Sequence, residues 1–485
     1  MDEHPLYQIM HPRSLTIVGA SNDPSKMGSL QLLNLLEGKY PGKIFPIHLK
    51  EETVLGLKAY RNARELPEAV DLAVLTLPAS AVPGVIRDLG ERGVKRAIII
   101  SGGFRETGEN GRALEDQIVK IARFYGLRFI GPNCIGVIHP AFHLNPTIYP
   151  YLHQPGSIGV VSQSGTYITQ VLPLLAKSQI GYSQAFSIGN GADLDLLDCL
   201  EYLGDDPETQ AIALYIEGIN RPSDFIQVAR RVSRQKPILG LYVGGTEAGA
   251  RSAASHTGSI AGPDHLYDAL FRQSGVIRVY SVEDLFEWAW ALASLPFPRG
   301  RNMAILTHSG GPASSLADAC NRLGLMVPIF SASLQDQLRR LLPATGSAQN
   351  PVDLTFFMDM PVLLEKLPRI ILKDPSIDGL LLHGAHGIKR FFPGKEIAES
   401  GSKMRAAAQV EKEITAAVAS LTGLPKEFGK PVITSAFVGR EDEIVAFIQD
   451  QKLPCYRSPE RAVRAMAALC QYVEIRSRLE ASGKQ

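Results

Sequence analysis

Along the first 140 residues, short runs of apolar and β-branched residues alternate with longer stretches in which apolar positions recur every three or four. The runs are SLTIVGA, GKIFPI, DLAVLTLP, VKRAIIIS and LRFIGPN. Runs of this length bounded by Gly, Pro and Asn predict strands, and the stretches between them predict helices. Strand and helix in regular succession predict a parallel, doubly wound α/β sheet, in which ligands bind beyond the carboxyl ends of the strands.

The stretch HPAFHLNPTIYPYLHQPGS, residues 139–157, contains four prolines and shows no apolar period; it reads as an interdomain connection. A second set of strands follows it: GSIGVVS, GYSQAFSIG, TQAIALYIEG and KPILGLYVGG. A further break falls at LPFPRGRN, and a third set runs through NMAILTH, DGLLLHG and KPVITSAF. The expected domains are therefore 1–138, 155–294 and 300–472, in line with a prior of about one domain per 150 residues.

The second and third sets share a weak repeat. IGVVSQSG at 158–165 and MAILTHSG at 303–310 each run from a strand into Ser or Thr, any residue, Ser and Gly, and then into a helical pattern. The first N–H groups of a helix lack partners and the dipole there is positive, so such a turn can hold a phosphate. Small residues also simply let a strand turn tightly into its helix, and either motif by itself fits both readings.

Composition narrows the partners. A formal charge of +1 supplies no field for nucleic acid or an anionic membrane, and 45% apolar against 20% charged residues allows every part to bury a core. The N-terminus MDEHPLYQIMHPRS is acidic where a secretory leader would be basic, and no apolar run reaches a membrane span. The expected location is the cytoplasm, without nucleic acid or membrane as partner. Five scattered cysteines, none spaced Cys-x-x-Cys, suggest neither disulfides nor a zinc site.

Candidate chemistry is concentrated in a few segments. The first loop, GASNDPSKMG at 19–28, sits where a dinucleotide fold keeps its phosphate turn, but Ser21 stands where the second glycine belongs. NAD is thereby disfavoured, while another adenine nucleotide can still use Gly19, Ser21 and the following helix. TEAGARSAASHTGSIAG, residues 246–262, is built almost wholly of small residues and carries one histidine, His256. Imidazole is a nucleophile near neutral pH, and such a segment lets it approach a phosphoryl donor closely. A solitary loop histidine is otherwise merely solvated. Glu217 ends the apolar run LYIEGI; a carboxylate bonded to one ring nitrogen leaves the other free to attack, although a strand-end Glu also serves as an ion-pair or capping residue. Cys134 in GPNCIGVIHP reads as a buried apolar thiol, His308 in LTHSGG as a secondary ligand contact, and His383 and His386 match no metal spacing.

Taken in order, GASNDPSKMG, IISGGFRETGENG, GPNCIGVIHP, VVSQSGTYITQVL, FSIGNGADLDLLDCLEYL, LYIEGI, TEAGARSAASHTGSIAG, LTHSGGPA, NPVDLT and RSPERAVRAMAAL resemble the α subunits of ADP-forming acetyl-CoA and other acyl-CoA synthetases, relatives of succinyl-CoA synthetase. The resemblance covers nearly the whole chain. It implies a Rossmann-like CoA-binding domain followed by two flavodoxin-like ligase domains.

By that resemblance His256 is the phosphorylated residue and Glu217 its partner. Ser162, Gln163, Ser164 and Gly165 would stand at one phosphate-holding helix end, and Thr307, His308, Ser309, Gly310 and Gly311 at the other. CoA would lie against Gly19, Ser21, Asn22, Lys50, Pro78 and the Ser101, Gly102, Gly103 turn, with Asn133 near its thiol, Lys50 acting as counter-charge to a phosphate. Asn350 matches a position near the acid substrate. The reaction implied interconverts acyl-CoA, ADP and phosphate with a carboxylic acid, CoA and ATP. ADP or ATP with Mg2+ would be held mainly by an ATP-grasp β subunit, in an α2β2 assembly or a fused chain, since no such domain is expected in these residues. The sequence departs from the family pattern at IHLK around Lys50, at THSGGPA, and at Phe356 and Phe357, which bear on the identity of the acid. A CoA-binding regulatory protein with reduced turnover is the alternative; retention of His256 and Glu217 favours the enzyme.

Overall fold

A computed structural model of the chain describes residues 2–150, 154–249, 251, 262–355, 357, 359–384 and 401–481, the last stretch with side chains from 412 onward. It divides into two compact units, one of residues 1–176 and 180–289, the other of residues 177–179 and 290–485. His256, His386 and Phe356 lie outside the described residues.

The first unit holds two sheets. One is built from β1 (Ser14–Val18), β2 (Lys43–Ile47), β5 (Leu72–Leu75), β6 (Arg96–Ile99) and β7 (Arg128–Ile130), in the order β2-β1-β5-β6-β7 and parallel throughout. A two-stranded hairpin, β3 (Thr53–Val54) and β4 (Leu57–Lys58), follows β2. Side chains alternate across a strand, and here the alternation divides the apolar runs between two cores. Leu15, Ile17, Leu72, Val74 and Ile98 face one, and Val18, Ala73, Leu75, Ala97 and Ile99 face the other. Burial on both faces is why these runs are continuously apolar rather than alternating.

The second sheet contains β8 (Val137–Ile138), β9 (Pro155–Ser162), β10 (Tyr182–Ser187), β11 (Ala211–Ile216), β12 (Ile238–Tyr242) and β13 (Ile277–Val279), ordered β13-β12-β11-β9-β10-β8 with only β8 antiparallel. The two sheets share a core. Leu6, Ile9 and Met10 of the first helix, Leu15 and Ile17 of β1, and Phe186, Leu196, Leu200 and Leu214 of the second sheet and its helix belong to one buried cluster. The proline-rich stretch expected as a connection is packed: Asn145 and Thr147 are fully buried, Asn34 Nδ2 donates to the carbonyls of Thr147 (2.6 Å) and Tyr149 (2.5 Å), and β9 already begins at Pro155.

The second unit carries β14 (Met303–Thr307), β15 (Val352–Asp353), β16 (Gly379–His383), β17 (Val432–Ser435) and β18 (Cys455–Tyr456), all parallel in the order β15-β14-β16-β17-β18. Apart from β8 and the hairpin, each sheet therefore places its own strands in the sequence second, first, third, fourth, fifth. This is the flavodoxin order, with a switch point beside the first strand. The first sheet, expected to be Rossmann-like, shares it.

Candidate active site

Every residue expected at a CoA site lies at the carboxyl edge of the first sheet. Gly19 follows β1, Lys50 follows β2, Pro78 follows β5, Ser101 to Gly103 follow β6 and Asn133 follows β7. Gly19 has φ +107°, and an added Cβ would stand 2.2 Å from the Thr76 carbonyl oxygen, so only glycine permits this approach of the loop to the next strand. Ser21 is buried and keeps the loop in shape, its carbonyl accepting from Ser29 Oγ at 2.7 Å. Asn22 holds the hairpin, donating to the Thr53 carbonyl at 2.9 Å and accepting from Leu55 N at 2.9 Å. Lys50 is exposed beside that hairpin and makes no ion pair among the described residues, which suits a counter-charge for a ligand phosphate. Ser101 Oγ accepts from Leu77 N at 3.0 Å, and Asn133, at φ +58°, donates its N–H to the Ser101 carbonyl at 2.9 Å. A glycine-shaped row of loop ends, with Lys50 making no ion pair among the described residues, suits an anionic, extended nucleotide.

The loop after β10, residues 188–195, is joined to this edge. Leu194 bridges Ile130 as a parallel strand would, Ala192 N donates to the Gly131 carbonyl at 3.0 Å, and Arg128 holds the Asp193 carboxylate at 2.9 Å. Asn190 is buried against Glu106 and Glu115. Burial pushes Glu106 up, yet hydrogen bonds from Asn190, Phe104 and Gly103 bring it below the usual carboxylate range. Burial raises Glu115, and bonds from Asn190 and Arg105 offset this only in part. The sequence reading gave Asn190 no role; its only trace was a glycine on either side, Gly189 and Gly191, both at positive φ.

At the carboxyl edge of the second sheet the structure brings Gln163 and Glu217 together. Gln163 leaves β9 and Glu217 leaves the adjacent β11. Gln163 Oε1 accepts from the N–H of Glu217 (2.5 Å) and of Gly218 (3.0 Å), while its Nε2 donates to the Gly218 carbonyl (2.9 Å). The amide thus imitates a peptide group and fixes the backbone that carries the buried Glu217 carboxylate. Below it Tyr215 stacks on Tyr167 with ring centroids 3.9 Å apart; burial, with Glu217 and Tyr167 nearby, raises its hydroxyl pKa. Arg221 grips Asp195 through both carboxylate oxygens at 2.9 and 3.0 Å. Asp195 and Asp198 form a capping box on the helix Leu196–Asp205, and burial beside Asp195 pushes Asp198 up to about 6.

His256 lies outside the described residues, but the segment that carries it is held at both ends beside Glu217. Val243 N donates to the Ile216 carbonyl at 3.0 Å where the chain enters, and Tyr242 Oη donates to the Gly262 carbonyl at 2.7 Å where it leaves. Tyr242 stacks on Tyr267 with centroids 3.4 Å apart, and Tyr267 Oη accepts from Ile219 N at 3.1 Å. The two tyrosines therefore clamp the segment's base to the loop of Glu217. Neither tyrosine stood out in the sequence, since aromatic residues at strand and helix positions are ordinarily core.

The repeat seen in the sequence is exact in hydrogen bonding. Ser162 Oγ accepts from Ser164 N (3.1 Å) and donates to the Ser164 carbonyl (2.5 Å); in the other unit Thr307 Oγ1 accepts from Ser309 N (3.1 Å) and donates to the Ser309 carbonyl (3.3 Å). The hydroxyls of Ser162 and Thr307 are thus committed to shaping their turns. The helices that follow differ. Gly310–Arg322 is continuous, whereas the first is broken into Thr166–Thr169 and Leu172–Ala176. His308 is buried against Gly384, where an added Cβ would meet Nδ1 at 2.3 Å, and His383 Nδ1 pairs with Ser435 Oγ at 2.9 Å.

Asn350, expected near the acid substrate, is tied to the backbone around β14. Its Oδ1 accepts from Ile305 N (2.9 Å) and its Nδ2 donates to the carbonyls of Met303 (3.0 Å) and Pro328 (2.9 Å). Both amide hydrogens are bonded to backbone carbonyls, one on β14 and one in the loop that precedes Phe330.

The comparisons agree with this layout. The CoA binding domain profile matches residues 13–140, the succinyl-CoA ligase like flavodoxin domain residues 155–292, and the Ligase-CoA domain residues 303–455. The α subunit of acetate–CoA ligase [ADP-forming] I of Pyrococcus furiosus is 37% identical over 96% of this chain and 97% of its own. Acetate–CoA ligase [ADP-forming] I of Archaeoglobus fulgidus is 34% identical over 96% of this chain but only 64% of its own. Among solved structures, the dinucleotide forming acetyl-coenzyme A synthetase 1 of Ca. Korarchaeum cryptofilum, in complex with phosphate and ADP, superposes with a TM-score of 0.85 at 36% identity, covering 99% of each chain. From these sheets, turns and relatives, the chain belongs to the α subunits of the ADP-forming acyl-CoA synthetases, within the succinyl-CoA synthetase superfamily.

Proposed function

We propose that this chain is the CoA-binding, phosphohistidine-bearing half of the enzyme and that His256 carries the phosphoryl group. In the direction of ATP synthesis, a phosphate oxygen attacks the thioester carbonyl, releasing the CoA thiol and forming an acyl phosphate. The free imidazole nitrogen of His256 then attacks phosphorus, releasing the carboxylic acid. An oxygen of ADP finally takes the phosphoryl group from the histidine. Glu217 accepts the hydrogen bond of the other ring nitrogen and stabilises the cation that forms on it. The observation that carries this reading is the three-bond hold of Gln163 on the Glu217–Gly218 backbone, one bond to Glu217 and two to Gly218, on the same loop that Tyr267 joins to the base of the His256 segment.

CoA is assigned to Gly19, Ser21, Asn22, Lys50, Pro78, Ser101 to Gly103 and Asn133. Phosphate is assigned to the Ser162 to Gly165 turn, with Thr307 to Gly311 as the second such turn. The acid substrate is assigned to the neighbourhood of Asn350, whose amide also braces β14. Relatives named as α subunits imply a β partner; that partner is proposed to be an ATP-grasp chain, in an α2β2 cytoplasmic enzyme, holding ADP or ATP with Mg2+. The longer Archaeoglobus relative, of which this chain spans 64%, is consistent with the same halves fused.

The test is phosphorylation of the chain from acyl-CoA and labelled phosphate. The label should be acid-labile and alkali-stable, and absent from His256→Ala. Label retained in that variant would remove His256 from the mechanism.

A further inference from the structure

The loop between Ile188 and Asp195 carries one buried polar side chain whose every hydrogen-bonding atom is turned toward the CoA edge. Asn190 is 3% exposed. Its N–H donates to the Pro132 carbonyl at 2.9 Å, and its own carbonyl accepts from the Arg105 guanidinium. Its Oδ1 accepts from Asn133 Nδ2 at 3.3 Å. Its Nδ2 gives two hydrogens to two carboxylates, Glu106 Oε2 and Glu115 Oε2, each at 2.7 Å. Two acceptors on one amide atom identify that atom as the nitrogen. The other oxygen of Glu106 accepts from Gly103 N (2.6 Å) and Phe104 N (3.0 Å).

One side chain is thus bonded directly to Asn133 and, through a single carboxylate, to the Gly103 turn. Gly189 makes the approach possible, since a Cβ there would stand 2.3 Å from the Pro132 and Asn133 carbonyl oxygens. On its far side Asn190 lines, with Gln163, Gly218, Ile219, Asn220 and Arg221, the cleft beside Glu217. The site requires two donors toward two carboxylates and one acceptor toward an amide, which only the amides of Asn and Gln supply, and Gln is longer by one methylene. Asp supplies no donor, and Ser supplies one.

We infer that Asn190 is a positioning residue that sets the thiol end of the CoA site in register with the phosphoryl pocket, so that acyl transfer depends on it while phosphoryl exchange with nucleotide does not. The inference rests on the assignment of Asn133 and the Ser101 to Gly103 turn to the thiol end of CoA. Acyl transfer joins a phosphate oxygen held at the second sheet to a thioester carbonyl held at the first, and an error of about 1 Å in such an alignment costs on the order of a hundredfold in rate. Exchange between ATP and ADP through the histidine uses no group on the first sheet.

The experiment compares both half-reactions in the complete enzyme, with its partner subunit, for wild type, N190S, E106Q and the triple variant E106Q/E115Q/N190D. In N190S, exchange of label between acyl-CoA and phosphate should fall by about a hundredfold while ATP–ADP exchange stays within about twofold. E106Q sets one amide NH2 against another and should reproduce that split. In the triple variant the new carboxylate accepts from both new amides, reversing the direction of both bonds that Asn190 gives to Glu106 and Glu115, and acyl exchange should recover by about tenfold over E106Q. Parallel loss of both half-reactions, unchanged acyl exchange in N190S, or a triple variant no better than E106Q would each overturn the inference. The triple variant also serves if N190S does not fold. Calorimetric binding of CoA to wild type separates the two levels: its absence would overturn the CoA site itself, whereas CoA binding with unsplit half-reactions would overturn only the role of Asn190.

Discussion

Replacement of Gln163 by alanine tests whether the loop of Glu217 is held by a side chain rather than by the sheet alone. The substitution removes two acceptor contacts, to Glu217 N and Gly218 N, and one donor contact, to the Gly218 carbonyl. Glu217 and Gly218 are buried, while Gln163 itself is only half-buried, so water can replace part of what is lost. At about 1 kcal/mol net for each bond, the expected loss is about 2–3 kcal/mol of unfolding free energy. Urea denaturation measures it. The Glu217 carboxylate would then lose its fixed direction toward the imidazole, and phosphorylation should slow by about ten- to a hundredfold in rapid-quench single turnovers. Gln163→Glu is the sharper control. It keeps the acceptor for the two N–H groups but turns the donor into an oxygen facing the Gly218 carbonyl, so it should also destabilise and slow the reaction. A Gln163→Ala protein that loses stability yet phosphorylates at the wild-type rate would show that Gln163 serves the fold only. Unchanged stability would refute the hydrogen-bonding argument itself.

Three further outcomes are expected. Gly19→Ala must place a side chain at φ +107° and within 2.2 Å of a backbone oxygen, which should cost about 2–4 kcal/mol and abolish the CoA-induced rise in thermal midpoint; an unaltered midpoint with normal CoA response would refute it. Asp198 is raised to about 6 by burial, so its contribution to stability is full below its unfolded value of about 4 and is lost as pH rises through about 6. Asp198→Asn, neutral throughout, should therefore gain on wild type across that window, and an equal difference at both ends would exclude Asp198 as the cause. Glu217→Gln should retain the fold but slow phosphorylation, because an amide cannot stabilise the imidazolium as a carboxylate does; equal single-turnover rates would remove Glu217 from the chemistry.

The long strands and the site segments were legible because each depends on local signals. The runs SLTIVGA, IGVVSQSG and MAILTHSG announce β1, β9 and β14 and the turns after them. The short strands β8, β13, β15 and β18 were not, since each is made by its neighbour's hydrogen bonds and lacks an apolar run such as the LRFIGPN that announces the three-residue β7. Residues 139–157 have no period either, yet Thr147 and Tyr149 among them are held by Asn34, a helix residue far away in the chain. The same distance in sequence hid the work of Asn190, Tyr242 and Tyr267.

The tyrosine clamp at the base of the His256 segment sets a length. Gly262 is tied to Tyr242, and whatever path the residues between them take, covalent geometry bounds how far the imidazole-bearing Cα can stand from that tie. The arm from His256 forward to Gly262 is the shorter one, six peptide links that span at most about 20 Å when fully extended. The arm back to Val243, whose N–H is tied to the Ile216 carbonyl, runs over thirteen links and sets no tighter limit. On the proposed mechanism, a phosphoryl acceptor beyond that radius and the added reach of the side chain could be met only with the Tyr242–Gly262 bond broken, so that the tether, rather than the chemistry at the ring nitrogen, would set the pace of turnover.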